Sequence, residues 1–270
     1  MLKAVQTITE AVSAVTGGAL HSAWLYGSAV LDDFRPGWSD VDLLILTSSP
    51  LSEEQAKRLL MLRQELAEKE PGNPYYRACE GIIACVREYR FGAFRRLVYW
   101  GTTGQRITDR CVPDTFARAE LARVGRCIAG TEDRSLFAEP DRAELRAAVQ
   151  AHCDAIRRFA GQTDESLYSC GWLLDIARGI HTLRTGDVIA KTQAGLWALE
   201  EHLFPDEGPL RRTLEIRQAP LRYKDRPEVR EWLKGLGPAV QRYADVLERE
   251  LREAERREKP GTEPAHAGRT

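Results

Sequence analysis

The chain has 270 residues, of which 43% are hydrophobic, and it carries 39 Lys and Arg against 40 Asp and Glu. This length and apolar content suit one large or two ordinary globular domains with buried cores. A net charge of −1 and an isoelectric point near 6.6 argue against a protein that binds long nucleic acid through its phosphates. The same balance is compatible with a small, cationic substrate.

The N-terminal segment, residues 1–18, has apolar residues at helical spacing, but Thr, Glu and Ser interrupt them too often for a secretion signal or a membrane span. The six cysteines form no CxxC pair and have no His partner at zinc-ligand spacing, which is typical of reduced, mostly buried thiols. We therefore expect a cytoplasmic protein without a membrane partner.

In the stretch that follows, one apolar run ends at Gly27 and Ser28, and a second begins after Asp40 and Asp42. Residues i and i+2 of a strand point to the same face, so the two carboxylates are expected side by side. Close carboxylates repel each other unless a cation lies between them, and hard oxygen ligands suit magnesium. Gly27 would let the backbone approach a phosphate, to which the Ser28 hydroxyl could donate. The structural alternative is a Gly-Ser turn followed by a charged strand end.

These residues carry a resemblance. LYGSAV and SDVDLLIL resemble the signature of the DNA polymerase β-type nucleotidyltransferases, and in detail that of the aminoglycoside adenylyltransferases that modify streptomycin and spectinomycin. The resemblance implies that Ser28 binds nucleotide phosphates, beside the close backbone approach expected at Gly27, and that Asp40 and Asp42 bind two magnesium ions. It also implies ATP as the co-substrate.

Further along, a capping-box pattern at Ser52 predicts a helix over 52–69, and the short apolar run 78–86 predicts a strand. Glu80 is the only charge of that strand. Burying a carboxylate without a partner is costly, so either the strand end is exposed or Glu80 faces the metal site. The resemblance implies that Glu80 is the catalytic base that accepts the proton of the substrate hydroxyl.

Residues 91–110 mix aromatic side chains, arginines and glycines, which fits a strand and a loop. Trp100 in this segment could stack on a sugar ring or a base, or it could belong to the core. The resemblance implies that it contacts the substrate. The pattern of residues 114–130 predicts one amphipathic helix that ends at Gly130.

From residue 142 on, apolar residues recur every three or four positions, which predicts an all-helical second domain. An Arg, a Thr-Gly turn, a Lys and Ala-x-x-Trp-Ala resemble the helical domain of the same adenylyltransferases. This implies that Arg178 and Lys191 bind nucleotide phosphates, although Lys191 without the resemblance would be an ordinary surface lysine.

Two further assignments depend on that resemblance. The segment LEIRQAPLRYKD resembles one with a nucleotide-contacting Tyr; Pro220 stands where the aromatic residue is expected, and Tyr223 follows three residues later. Asp164, in the acidic loop 161–165, is implied to bind the cationic antibiotic, and a solvated loop is the alternative. The last helix is predicted over 227–256.

The fold class that we predict is α+β. A nucleotidyltransferase domain, residues 1–140, would have a mixed sheet flanked by helices; residues 141–257 would form a helical bundle that binds substrate and nucleotide; and 258–270 would be a disordered tail. The predicted activity is magnesium-dependent transfer of AMP from ATP to a hydroxyl of an aminoglycoside or aminocyclitol antibiotic by a monomer, which confers antibiotic resistance. The alternatives are another acceptor (a protein, a tRNA or a different natural product) and a non-catalytic nucleotide-binding module, against which the intact set of site residues argues.

Overall fold

The structure is a computed structural model that describes residues 1–101, 104–110 and 113–258. The chain divides into two compact units. The first contains Met1–Asp141 and Glu215–Asp225; the second contains Arg142–Leu214 and the residues from Arg226 on. The chain passes from the first unit to the second after Asp141, returns to the first at Glu215 and leaves it again after Asp225. The two predicted domains, with one boundary between them, did not include the return of residues 215–225 to the first unit.

The first unit contains a six-stranded sheet with the order β5-β4-β3-β2-β1-β6, in which β2 and β3 are parallel and the other neighbours antiparallel. With the helical second unit described below, this mixed sheet flanked by helices confirms the predicted α+β class. Its elements before residue 141, in chain order and apart from two short 3-10 helices, are α1 (Leu2–Val15), β1 (Leu20–Tyr26), β2 (Val41–Thr47), α2 (Glu53–Lys69), α3 (Tyr75–Ala78), β3 (Cys79–Cys85), α4 (Val86–Phe91), β4 (Leu97–Gly101), β5 (Gly104–Thr108), α5 (Thr115–Arg123) and β6 (Arg126–Gly130).

The two faces of the sheet have separate cores because side chains alternate along each strand. Leu43 and Ile45 of β2 lie in the core that also contains residues of α1 and α2. Leu44 and Leu46 lie in the other core, together with Leu121 of α5. The sheet is therefore covered on both faces, which explains why β1, β2 and β3 are apolar along most of their length.

Local sequence signals explain the starts of α2 and α5, which Ser52 and Asp114 cap. The capping box at Ser52 is present, since its hydroxyl accepts from the N–H of Gln55 and the Gln55 side chain accepts from the N–H of Ser52. The prediction of one helix over 114–130 was wrong, because α5 ends at Arg123 and β6 follows. A Cβ at Gly125 would lie 2.6 Å from the carbonyl oxygen of Leu121, so the chain leaves the helix at a glycine and pairs with β1.

From Arg142 on, the regular elements among the described residues are helices. In the second unit α7 is central and packs against α6, α8 and α12. The last predicted helix is in fact two helices, broken around Gly235 and Gly237. The helices are α6 (Arg142–Phe159), α7 (Tyr168–Thr185), α8 (Lys191–Glu200), α9 (Gly208–Gln218), α10 (Pro220–Tyr223), α11 (Pro227–Lys234) and α12 (Gly237–Glu258).

The predicted disordered tail, 258–270, lies outside the described residues except for Glu258. Among the residues that are described, no helix combines the length and the apolar character that a membrane crossing requires.

Candidate active site

Strand register brings three of the site's side chains together. Asp42 on β2 is the partner of Glu80 on the parallel strand β3, and of Tyr26 on the antiparallel strand β1. Partners in register point to the same face, so the two carboxylates and the phenol lie side by side, at the end of the face that also contains Leu44 and Leu46. Burial raises the pKa of Tyr26 well above its usual value, and the nearby carboxylates of Asp42 and Glu80 raise it further.

Asp40 lies directly before β2, and its charge acts on Cys79 at the start of the neighbouring strand β3. Burial raises the pKa of the Cys79 thiol to about 12; Arg63 opposes the rise, and Asp42 and Asp40 add to it. Both predicted metal ligands therefore act electrostatically on Cys79, the first residue of β3.

Gly27 passes directly against the Asp42 carboxylate. Its φ is +67°, and a Cβ built on it would lie 2.0 Å from Asp42 Oδ2. Only glycine fits this conformation and this distance. The glycine of the sequence motif thus allows the chain to turn closely around a carboxylate, a role that the sequence analysis had not assigned to it.

Ser28 follows in a 3-10 helix of three residues, Gly27–Ala29, rather than in a regular helix. Its Oγ is buried and has no hydrogen-bond partner among the described residues. A buried hydroxyl without a partner is destabilising by about 1–3 kcal/mol. Ser28 therefore has an unused donor and acceptor available for a ligand, as the predicted contact with a phosphate requires.

A tyrosine that the sequence analysis missed holds Glu80. The hydroxyl of Tyr99, on β4, donates to Glu80 Oε1 at 2.6 Å, and the guanidinium of Arg106 lies 4.2 Å from the centre of the Tyr99 ring. One carboxylate oxygen of Glu80 is thus fixed by a neighbouring strand. Strand alternation would have placed Tyr99 and Trp100 on opposite faces, but it does not show which of the two faces Glu80.

Trp100, the predicted substrate contact, lies in the core on the other face of the sheet. Its side chain is 1% exposed and packs in the cluster that contains α1 and α2 residues. Its ring N–H donates to the carbonyl oxygen of Leu59 on α2 at 3.0 Å. Trp100 is therefore a core residue, as the alternative interpretation of the sequence had it. No face of its ring is available to stack on a substrate.

Arg63, on α2, is a second residue that the sequence analysis missed. Its guanidinium donates to the carbonyl oxygens of Cys79 at 2.7 Å and Gly101 at 3.0 Å, and to Gln105 Oε1 at 2.9 Å. Burial lowers the pKa of Arg63, while nearby acidic groups that include Glu80 oppose this change. The arginine therefore connects the first residue of β3, the last residue of β4 and the second residue of β5.

In the second unit, the two predicted phosphate-binding cations lie near the carboxylate of Asp175, whose side chain is 14% exposed. Lys191, the first residue of α8, has its Nζ 2.8 Å from Asp175 Oδ1, and Nε2 of His152 is 3.9 Å from Asp175 Oδ2. Arg178 lies one helical turn after Asp175 on α7. Burial acts to raise the pKa of Asp175, but the charges of Lys191, His152 and Arg178 lower it below its usual value. The sequence analysis did not identify Asp175.

Asp164, the predicted antibiotic ligand, caps the turn before α7. Its Oδ1 accepts from the backbone N–H of Ser166 at 2.9 Å and from the hydroxyl of Ser169 at 2.9 Å. Hydrogen bonds from Ser166 contribute most to lowering the pKa of Asp164. The residue is exposed. A structural role is thus evident, and the antibiotic contact stays a prediction.

Tyr223, the predicted nucleotide contact, is 7% exposed in α10. Its hydroxyl donates to Glu215 Oε1 at 2.7 Å, and the guanidinium of Arg222 lies 5.7 Å from the centre of its ring. The structure therefore presents a buried, hydrogen-bonded tyrosine with little ring surface for a base.

Comparison with known proteins agrees with this arrangement. Residues 8–81 match the family model of the nucleotidyltransferase domain, and residues 135–249 match that of the aminoglycoside adenylyltransferase C-terminal domain. The fold is similar to the crystal structure of the spectinomycin adenyltransferase AAD(9) from Enterococcus faecialis with ATP and spectinomycin. The TM-score is 0.61, with 18% identity over 90% of this chain and 97% of that chain, which shows a shared fold. The chain is thus a nucleotidyltransferase enzyme that contains the C-terminal domain of the aminoglycoside adenylyltransferases.

Proposed function

We propose that this enzyme transfers AMP from ATP to a hydroxyl of an aminoglycoside or aminocyclitol antibiotic and releases pyrophosphate. The observation that carries the proposal is the pairing of Asp42 with Glu80 across β2 and β3, with Gly27 turning closely around Asp42. Two half-buried carboxylates side by side suit a cation on one of them and a proton acceptor on the other. The proposed partners are ATP and a cationic antibiotic, and the enzyme would act as a monomer.

The residues present fit magnesium, and we propose that Asp40 and Asp42 bind two ions. Magnesium is usually held by one or two carboxylates, the substrate phosphates and water. Within residues 1–101, 104–110 and 113–258, no three His, Cys, Asp or Glu side chains are grouped as a metal cage, and this binding mode needs none. Bound there, magnesium would neutralise charge on the triphosphate and on the leaving pyrophosphate.

In the proposed reaction the antibiotic hydroxyl attacks the α-phosphorus of ATP as the bond from that phosphorus to the bridging oxygen breaks. Glu80 accepts the proton of the hydroxyl; Tyr99 holds its Oε1, which leaves Oε2 to face the substrate. The hydroxyl of Ser28 donates to a phosphate oxygen, a role that suits its buried Oγ. Arg178 and Lys191 are proposed to bind phosphate oxygens as well.

A mass-spectrometric screen tests this proposal. The protein is incubated with ATP, magnesium and each member of a panel of aminoglycosides and aminocyclitols, and an adduct of AMP on the antibiotic is sought. Spectinomycin is the first acceptor to test, because the protein of similar fold was solved with it. Reactions without acceptor, and with a chelator in place of magnesium, are the controls. Adenylylation of a protein or a tRNA, and of no antibiotic, would refute the proposed acceptor class.

A further inference from the structure

The loop of residues 30–40 joins the two halves of the phosphate and metal motif. Ser28 precedes it, and Asp40 is its last residue before β2. The backbone N–H of Asp33 donates to the carbonyl oxygen of Ser28 at 3.0 Å, so the loop folds back on the 3-10 helix. The conformation of the loop therefore determines where the Ser28 hydroxyl and the Asp40 carboxylate lie.

A buried arginine from a distant part of the chain holds this loop. The guanidinium of Arg217 lies 2.7 Å from Asp33 Oδ2 and also donates to the carbonyl oxygen of Asp33 at 3.3 Å. The two side chains are only 3% and 4% exposed. The same guanidinium lies 5.1 Å from the centre of the Trp38 ring. A planar guanidinium can donate and stack at the same time, so Arg217 contacts the loop both near Ser28 and near Asp40.

Other contacts fix the segment that carries Arg217 within the first unit. Gly37 has a φ of +83°, and a Cβ built on it would lie 2.4 Å from Cδ2 of Leu221. Tyr223 donates to Glu215 within the same segment. The approach of Leu221 to Gly37 and the contacts of Arg217 explain why Glu215–Asp225 belongs to the unit that contains the sheet.

We propose that Arg217 is a positioning residue of the adenylyl transfer. Through Asp33 and Trp38 it fixes the loop 30–40, and with it the distance between the phosphate-binding Ser28 and the metal-binding Asp40. The inference rests on the proposed function for the roles of Ser28 and Asp40. A buried ion pair is weak evidence for stability, because desolvation of both charges offsets their attraction. A positioning role explains why the pair lies between the two halves of the motif.

The experiment must distinguish an effect on the placement of Ser28 and Asp40 from an effect on the stability of the fold. A single substitution would remove a buried counter-charge from the other partner, whereas replacing both partners by apolar residues often preserves stability. Arg35, which lies 3.4 Å from Asp33 Oδ1, also loses this carboxylate in the double variant, but its side chain is one-third exposed and water can solvate it. We therefore compare the double variant Asp33→Leu/Arg217→Met with the wild type, in thermal melting, in Mg-ATP affinity by calorimetry, and in pyrophosphate release. Arg90→Met is the matched control, because Arg90 forms an exposed 2.8 Å pair with Asp133 in the same unit.

We expect the double variant to melt within a few degrees of the wild type, to bind Mg-ATP about tenfold more weakly, and to require more magnesium for half-maximal activity. Arg90→Met should match the wild type in all three. A double variant with wild-type Mg-ATP affinity and turnover would overturn the proposal whatever its melting temperature, since the pair would then not position Ser28 and Asp40 for the reaction.

If the double variant does not fold, the variant Arg217→Lys tests the positioning role instead. Lysine keeps the charge but loses the planar fork and the flat face toward Trp38. Weakened Mg-ATP binding at unchanged melting supports the positioning role, and unchanged binding refutes it. Because Mg-ATP affinity needs no acceptor, a wild type that binds Mg-ATP but modifies no antibiotic would refute the proposed acceptor and still allow this test.

Discussion

The charged cluster on the sheet and the charged cluster among the helices are built in different ways. Asp42 and Glu80 are like charges held in register on neighbouring strands. In the helical unit, Lys191 and Arg178 lie around the opposite charge of Asp175. Like charges held close together favour a bound cation or a proton, whereas opposite charges largely satisfy each other.

This difference shows that a charged residue at the expected position need not be available to a ligand, because a neighbouring group can already neutralise its charge. We propose that the carboxylates on the sheet bind a ligand, and the buried Ser28 hydroxyl beside Gly27 supports that proposal. Lys191 already has a partner at 2.8 Å, so a phosphate that binds it must share the ammonium with Asp175. Substitutions in the two clusters should therefore differ in the size and the kind of their effects.

The largest effect is expected for Asp42→Asn, which removes a charge from the proposed magnesium site. Changes to groups that only orient a metal ligand reduce activity about 10-fold to 100-fold, so loss of a ligand charge should reduce it by more than about 100-fold. Pyrophosphate release measures the loss, and circular dichroism should show an unchanged fold. Asp154→Asn, at an exposed position of α6, is the control. Activity within tenfold of the wild type would rule out Asp42 as a metal ligand.

Glu80→Gln should reduce kcat on the order of 100-fold, because the amide keeps the size of the side chain and can still accept from Tyr99 but cannot take a proton. Mg-ATP affinity should change little, which separates a base from a metal ligand. Tyr99→Phe is the companion variant, and it should cause a smaller loss because it only releases the carboxylate. Weakened Mg-ATP binding in Glu80→Gln would instead identify Glu80 as a metal ligand.

In the helical cluster, Lys191→Ala should weaken ATP binding about tenfold, since a charge-assisted hydrogen bond contributes about 1.5–3 kcal/mol and Asp175 already takes part of it. Calorimetry measures the affinity. Lys234→Ala, which removes the exposed pair with Glu165 in the same unit, is the matched control. Equal ATP affinities in the two variants would mean that Lys191 pairs with Asp175 and does not bind the nucleotide.

The smallest effect concerns stability against acid. The pKa of Asp175 is lowered in the folded protein, so its contribution is complete above the unfolded pKa of about 3.9 and is lost as pH falls through the lower folded value. Asp175→Asn should lower stability at pH 7 by about 1–2 kcal/mol. Melting followed from pH 7 to pH 2 should show a shallower decline for the variant, and parallel curves would contradict this assignment.

The strands that carry Asp42 and Glu80 could be predicted from the sequence, because the pattern of a strand is a short-range property. Asp42, Glu80 and Gly27 lie where the apolar runs begin and end, and register then brings them together. Strand alternation places Trp100 and Tyr99 on opposite faces of the sheet. Which of them lies in the core depends on the packing of α2 against one face, and this tertiary contact is not visible in the local sequence.

The helical unit was harder to predict for a related reason. Helical periodicity places Asp175 one turn before Arg178, but it does not say that Lys191 of the next helix will reach Asp175. The prediction that one helix continues from residue 114 to residue 130 failed because pairing of β6 with β1 overrides local helix propensity. Both cases depend on contacts between elements, which composition and spacing do not contain.

The return of Glu215–Asp225 to the first unit has a consequence for how the protein is made and recombined. Synthesis proceeds from the N-terminus, so the sheet emerges long before Arg217, and Asp33 has to wait for this partner until the helices α6, α7 and α8 have been produced. A chimera joined to a relative at a single point after Asp141 would separate Asp33 from its own Arg217. An exchange that preserves this loop has to take two separate pieces of the chain.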